Sequence, residues 1–218
     1  MSKDQSCTAF VCACALVLVT DDLSGQERQD ALDALLYSQT AASRKASQFS
    51  AVQTWAQITD RAMRVAGASL TDDQEMNFPL PVSGGVTLLE VAQQTMDCWM
   101  PAINLPGGQR LSDLKLEATS ATLGLLRQHV VRDDKWIRFM FAVVSPGITI
   151  PKVVMSFEYC GVIGADILQH RFTADDVVGD VCVSASKALL DREDYDFSRA
   201  TVISLLGERR QEQVLALT

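Results

Sequence analysis

Hydrophobic and polar side chains alternate most clearly between residues 135 and 164, in two runs that Pro146 and Gly147 separate. Alternation with a period of two residues is typical of a β-strand that is buried on one side. The predicted buried positions are Ile137, Phe139, Phe141 and Val143 in the first run, and Val153, Met155, Phe157 and Tyr159 in the second. A turn between two such runs predicts an antiparallel pair of strands.

The opposite face of this predicted pair mixes apolar and polar side chains. Trp136, Met140 and Val154 are large and apolar, and Cys160 lies on the same side. The polar side chains of this face are Arg138, Lys152, Ser156 and Glu158. Apolar groups in such a row gain by leaving water, so either a helix of the same chain or another molecule covers them. We take Trp136, Met140 and Val154 as the candidate interface.

The apolar run from Cys7 to Val19 predicts a fully buried strand near the N-terminus. It is too short to span a membrane, and the residues before it lack the net positive charge of a signal peptide. No cleavage site with small residues follows before Asp21. We therefore expect neither a membrane span nor a signal peptide in this segment.

Helix signals follow this strand. Ser24 and Glu27 form a capping box, and apolar positions at intervals of three and four then continue to Gly67, with a break near residues 47–50. The remaining predictions are a loop over residues 69–85, a helix from Thr87 to Met100, one bulged strand or two strands over residues 111–132, a helix from Thr173 to about Asp191, and a final helix from Ser198 to Leu217.

The order of these elements predicts an α+β fold in one compact domain, residues 1–218. We expect an antiparallel sheet of about four strands, formed by the N-terminal strand and a central meander. The N-terminal and C-terminal helices should pack against it. The strands do not alternate regularly with helices, which argues against a parallel βαβ sheet.

Composition and charge narrow the possible functions. Hydrophobic residues make up 48% of the 218 residues, which is enough for a substantial core. The net charge is −8, and basic residues cluster only in pairs such as Arg44-Lys45 and Arg209-Arg210, so we expect no nucleic-acid ligand. The six cysteines fall mostly in predicted regular structure, where free thiols fit better than disulfides. We therefore expect a cytoplasmic protein.

Candidates for chemistry are sparse. Cys160, His170 and Asp166 supply a thiol, an imidazole and a carboxylate, the residue types of a nucleophile with its base and orienting acid. Their closeness along the chain is the support for grouping them. No spacing of cysteine or histidine typical of a metal site occurs, and no glycine-rich phosphate motif does, so we expect neither a metal nor a cofactor.

The sequence leaves three functions open. The first is a non-enzymatic interaction or assembly protein, binding itself as a homo-oligomer or binding another protein through the mixed face. The second is a membrane-active, toxin-like pore former, because the small residues between Ala31 and Ala46 permit close helix packing. The third is an enzyme whose catalytic residues are dispersed along the sequence and leave no local motif.

Overall fold

The structure, a computed structural model, describes residues 6–100, 111 and 119–217. Its helices are α1 (Gly25–Ser43), α2 (Val52–Val65), α3 (Leu88–Trp99), α4 (Ser120–Val130), α5 (Arg192–Leu206) and α6 (Arg209–Glu212). Its strands are β1 (Cys7–Cys12), β2 (Ala15–Thr20), β3 (Ala68–Phe78), β4 (Val131–Arg132), β5 (Trp136–Val144), β6 (Thr149–Tyr159), β7 (Val177–Leu190) and β8 (Val214–Leu217). A short 3-10 helix at Ala174–Asp176 leads into β7.

The described strands form one mixed sheet. Their order is β3, β7, β6, β5, β2, β1 and β8, and the two-residue strand β4 pairs with the start of β5. β2 runs parallel to β5, whereas the other described pairs are antiparallel. The α+β class is confirmed, but the prediction of an antiparallel sheet of about four strands is wrong. Side-chain alternation carries no information on strand direction, and a long connection, which includes α1 to α4 and β3, separates β2 from β5 and permits parallel pairing.

The predicted strand pair over residues 135–164 is confirmed as β5 and β6, with Phe139 opposite Met155 and Met140 opposite Val154. The predicted N-terminal strand is instead a hairpin of β1 and β2, which turns near Ala13, where φ is 51°. Both strands are apolar on both faces because the sheet is covered on both sides. No change in polarity therefore marks the turn in the sequence.

The segment from Thr173 to Asp191 departs most from its predicted helix. Helical geometry begins after Thr173 but ends at Asp176, and the chain continues as the 14-residue strand β7. Val181, Val183 and Ala185 are buried at alternate positions of this strand. The strand alternation was thus present in the sequence. The prediction gave more weight to the acidic helix-capping residues that precede the strand.

Two predictions before β5 are corrected in the same way. Most of the predicted loop over residues 69–85 is strand β3, because β7 supplies backbone partners to a segment with little apolar periodicity of its own. Within the predicted strands over residues 111–132, residues 120–130 form α4, whose first turn is capped by the side chain of Thr119. The end of that prediction is confirmed as the two-residue strand β4, and residues 112–118 lie outside the described residues.

The predicted final helix over residues 198–217 divides at Gly207. α5 ends there, where φ is 55°, a conformation that favours glycine. The apolar end of the segment, Val214–Leu217, pairs with β1 as strand β8 instead of continuing a helix. Four apolar residues next to an open strand gain more backbone and side-chain contacts in the sheet than in an isolated helical turn.

Helices lie on both sides of the sheet. α1 and α2 cover the face that carries Arg138 and Lys152, which we call the α1 face, and α5 packs on the outside of α1. α3 and α4 contact the opposite face. The predicted core residues Ile137, Phe139, Phe141, Val153, Met155 and Phe157 are all buried on that opposite face. Their helical neighbours are therefore α3 and α4, and not the N-terminal and C-terminal helices that we expected.

Two buried carboxylates connect α1 to the C-terminal helices. Arg199 of α5 donates hydrogen bonds of 2.9 and 2.6 Å to Asp30, and Arg210 of α6 lies 2.9 and 2.8 Å from the oxygens of Asp33. The side chains of Asp30 and Asp33 are only 3% and 1% exposed. Burial removes the hydration of a carboxylate, so each one depends on its arginine. The pairs allow α1 to be buried on nearly all sides.

Gly67 provides a test of the packing between α2 and α5. Its φ is 97°, and a Cβ at this position would lie 2.8 Å from the nitrogen of Tyr195 and 2.9 Å from Asp194. We expect Gly67→Ala to lower the free energy of unfolding by about 2 to 3 kcal/mol, because backbone strain and overpacking add together. Gly84 is the matched control, since its φ is 78° and a Cβ there meets nothing within 4 Å.

Chemical denaturation of both variants separates the two causes. Gly84→Ala should show the strain alone, about 1 kcal/mol. Equal losses for Gly84→Ala and Gly67→Ala would contradict the close approach of α5 to the end of α2.

Candidate functional site

The α1 face is only partly covered by helices. Beyond β5 it is open over parts of β6, β7 and β3, and α2 with residues 48–49 borders this opening. The result is a cleft of about 550 Å³. Cys182 and Ser184 of β7 point to this face and are not buried. Small polar side chains leave little apolar surface to cover, so this part of the sheet does not require a helix.

Arg138 lies at the floor of the cleft and is 1% exposed. Its Nη1 donates hydrogen bonds to the carbonyl oxygens of Gln48 at 3.1 Å and Val52 at 3.3 Å. Its guanidinium lies 4.2 Å from the centre of the Trp55 ring, within the range of a cation–π contact. The arginine thus attaches the connection between α1 and α2 to the middle of the sheet.

The charge of Arg138 is not matched by a carboxylate. Among the described residues no acidic side chain forms an ion pair with it, and its buried Nε has no hydrogen-bond partner. Burial lowers the pKa of Arg138 to about 10, so the group still carries its proton at neutral pH. A buried cation without a counter-ion is costly, and it is the most unusual electrostatic feature of the cleft.

The rim of the cleft has the opposite charge. Glu75 and Asp180 are exposed at its outer side, and Glu158 forms an ion pair with Lys135. The walls also contain apolar side chains, among them Phe49, Val52, Trp136, Val154 and Val178. The cleft therefore combines a cation at its floor, apolar walls and carboxylates at its rim.

The predicted interface residues are distributed unequally over this site. Trp136 is half-buried and Val154 is 8% exposed, and both line the cleft. Met140 is fully buried beneath the helices of the α1 face. Two of the three residues are therefore accessible from the cleft, and contact with another molecule through them stays a prediction.

The residues proposed for catalysis make other contacts. The Sγ of Cys160 donates to the carbonyl oxygen of Asp176 at 3.2 Å, and the carboxylate of Asp166 accepts hydrogen bonds from the backbone of the turn that follows it. His170 lies 3.0 Å from the hydroxyl of Tyr159 through Nε2. No hydrogen bond joins Cys160, His170 and Asp166 to one another within the described part of the chain.

His170 is held as a packing residue. Its Nδ1 accepts a hydrogen bond from the Gly164 N–H at 3.3 Å, so the neutral ring carries its proton on Nε2 and donates it to Tyr159. Burial lowers the pKa of His170, which favours this neutral form. The ring also packs edge-on against Phe172, with centroids 4.6 Å apart. These contacts leave neither ring nitrogen free to act as a base.

Sequence reasoning placed Arg138 on the mixed face but did not single it out. The sequence feature that could have identified it is a permanently charged residue in the middle of an apolar strand. Its importance depends on Gln48, Val52 and Trp55, which lie more than eighty positions earlier in the sequence.

The described part of the fold has neither a candidate metal site nor a membrane-spanning helix. No group of three or more potential metal ligands occurs within residues 6–100 and 119–217. No helix in the described ranges is long and apolar enough to cross a membrane. The small residues Ala31, Ala34 and Ala42 of α1 are fully buried, so they serve close packing inside the fold. All six cysteines are free thiols in the structure.

Comparison with known proteins gives a likeness to solved structures but none to a family profile or a curated protein. No protein-family profile matches the chain, and no curated protein matches it. The chain is similar to the solved structure of the Evf virulence factor, with 10% sequence identity and a TM-score of 0.39. The alignment covers 93% of this chain and 84% of that chain. A likeness at this level carries no argument about function.

Proposed function

We propose that this chain is a non-enzymatic interaction protein whose cleft binds a segment of a partner protein. A carboxylate of that segment would pair with Arg138. The observation that supports this proposal is the buried cation at the cleft, for which the described residues supply no carboxylate. An anionic group from outside supplies the missing counter-charge, and hydrogen bonds to charged groups contribute about 1.5 to 3 kcal/mol each.

The walls of the cleft suit a polypeptide segment. Gln53, Asn77, Ser156 and Ser184 place hydrogen-bonding groups beside apolar surface, as an extended main chain with alternating side chains requires. The volume of about 550 Å³ is within the range of specific ligand sites. The acidic rim favours a segment that carries a basic residue next to its carboxylate.

Selection from a library of short random peptides tests the proposal. Peptides that bind the wild-type chain should share an acidic side chain or a free C-terminal carboxylate. Replacing that group by an amide should weaken binding to the wild type about tenfold or more. The same replacement should have little effect on binding to Arg138→Gln, because the partner charge is already absent. Selected peptides without any essential anionic group would refute the proposal.

A second variant keeps the test informative if Arg138→Gln does not fold. Ala56 of α2 lines the cleft, and Ala56→Trp should fill it and abolish peptide binding while Arg138 remains intact. Ala200→Trp on the exposed side of α5 is the matched control and should bind like the wild type. Unchanged binding by Ala56→Trp, with an unaltered circular dichroism spectrum, would place the peptide elsewhere.

Self-association stays a prediction within the same proposal. A partner segment from a second copy would give a dimer mass by light scattering. Ala56→Trp would dissociate that dimer and Ala200→Trp would not. A monomeric wild type that binds selected peptides would assign the cleft to another protein.

A further inference from the structure

A second recess lies on the other side of the chain segment between α1 and α2. This segment, residues 44–51, is called the α1–α2 connection, and Gln48 and Phe49 within it line both recesses. The second recess, which we call the groove, has a volume of about 700 Å³. Its cationic lining side chains are Arg44, Lys45, Arg132 and Arg209, and His129 and Cys14 are its other titratable groups.

The cations of the groove come from separate parts of the fold. Arg44 and Lys45 follow the last turn of α1, Arg132 belongs to β4, and Arg209 begins α6. Two basic pairs that are far apart in the sequence, Arg44-Lys45 and Arg209-Arg210, thus meet at one place through Arg44, Lys45 and Arg209. The second arginine of the latter pair turns away to Asp33.

No aspartate or glutamate lines the groove among the described residues. Arg44, Lys45 and Arg209 form no ion pair with an acidic side chain of the described ranges, and Arg132 has a single exposed pair of 3.6 Å with Asp133. The whole chain has 27 acidic and 19 basic side chains. The groove therefore gathers cations in a chain whose charged side chains are mostly acidic. Repulsion between these like charges costs free energy.

A structural explanation covers only part of this cluster. Arg44 and Lys45 lie beside the C-terminus of α1, where the helix dipole favours positive charge. Arg132 and Arg209 belong to other elements, and that dipole does not explain their approach to the same recess. The Nη1 of Arg132 also lies 3.4 Å from the Ser47 hydroxyl, which orients it toward the connection.

The floor of the groove is held in place by hydrogen bonds. The Oε1 of Gln39 accepts from the nitrogen and the Sγ of Cys14 at 3.1 and 3.0 Å. The Nε2 of Gln39 donates to the carbonyl oxygens of Cys12 at 3.1 Å and Leu35 at 3.3 Å. Burial raises the pKa of Cys14 to about 11, so the floor carries no thiolate at neutral pH. A fixed neutral floor beneath several cations needs little rearrangement to receive an anion.

The geometry points to a binding site for clustered phosphate groups, as carried by a small polyphosphorylated molecule. Arginine presents a planar fork of donors that matches phosphate oxygens, and three arginines and a lysine can share several phosphates. A long nucleic acid fits less well, because its charge would extend beyond the groove onto a protein of net charge −8. This inference is independent of the proposed peptide site.

Isothermal titration of the full chain with inorganic tripolyphosphate tests the assignment. Arg44→Gln, Arg132→Gln and Arg209→Gln should each raise Kd about tenfold, as the loss of a charge-assisted contact does. Arg64→Gln is the matched control, because Arg64 is exposed on α2, outside the groove, and should bind like the wild type. Equal weakening by Arg64→Gln would mean a general charge effect and overturn the assignment.

Two further arms identify the source of the phosphates and separate the two recesses. Vesicles of phosphatidylcholine with a phosphorylated inositol lipid present the same chemistry on a membrane. Stronger binding to them than to tripolyphosphate, lost in Arg209→Gln, would assign a lipid headgroup, whereas the reverse order would assign a soluble ligand. Ala56→Trp in the cleft should leave tripolyphosphate binding unchanged. Binding to neither probe at low ionic strength would overturn the inference.

Discussion

Truncation of Phe139 to Ala should lower the free energy of unfolding by about 3 to 5 kcal/mol. Phe139 is fully buried in β5, near the middle of the described sheet order, and lies opposite Met155 of β6. Its face is covered by α3 and α4, so removal of the ring would leave a cavity. The cavity would close only if the sheet and both helices moved inward. A rigid sheet limits that collapse, which places the loss in the upper range for buried side chains.

Chemical denaturation measures this loss, and Phe197 provides the control. Phe197 of α5 is 88% exposed, so Phe197→Ala removes the same atoms from a side chain in water and should change stability by less than about 0.5 kcal/mol. A loss below about 1 kcal/mol for Phe139→Ala would reverse the assignment of the two faces of β5.

Arg199→Met should destabilise the fold by about 3 kcal/mol or more. The substitution leaves the Asp30 carboxylate, 3% exposed, without its positive partner inside the protein. Methionine keeps much of the apolar stem of arginine but also removes the guanidinium that lies 5.3 Å from the centre of the Tyr195 ring. The reverse substitution, Asp30→Asn, should cost less, because the Arg199 side chain is 25% exposed and can be hydrated.

A double variant isolates the charge from the packing. In Arg199→Met with Asp30→Leu, no unpaired charge remains buried, and most of the lost stability should return. Arg64→Met removes an exposed arginine and should be nearly neutral. If the double variant is less stable than Arg199→Met by the full cost of Asp30→Leu, the two side chains act independently, contrary to the structure.

The parts of the fold that the sequence predicted depend on local rules. The predicted capping box of Ser24 with Glu27 forms and begins α1, and the helix predicted from Thr87 is α3, which Thr87 and Glu90 cap in the same way. The paired strands β5 and β6 also follow from alternation and a short turn. In each case the residues that determine the element are within a few positions of one another, so a single sequence contains the needed information.

The parts that the sequence missed depend on distant partners. β3 is a largely polar segment that becomes a strand because β7 pairs with it over most of its length. The parallel contact between β2 and β5 joins residues more than one hundred positions apart, such as Leu16 and Phe141. Local propensity is weak compared with such tertiary contacts.

The candidate site likewise has one part that local sequence predicted and one part that depends on distant residues. The mixed face that carries Trp136 and Val154 was visible in the sequence, and part of it is the wall of the cleft. The groove was not visible, because Arg44 and Arg209 each belong to a pair that is too short to suggest an anion ligand. Their significance arises only when the fold brings both pairs to one recess.

The α1–α2 connection has a thermodynamic consequence for the two recesses that share it. Gln48 and Phe49 contribute to both walls, and the Gln48 carbonyl is fixed by Arg138. A ligand that displaces either residue from one side would alter the free energy of occupation on the other side, whereas a side chain that fills the cleft without moving them, as expected for Ala56→Trp, would not. Linkage then requires the effect to be reciprocal, with one coupling free energy for both ligands. Eight residues of chain would thus suffice to connect two binding equilibria.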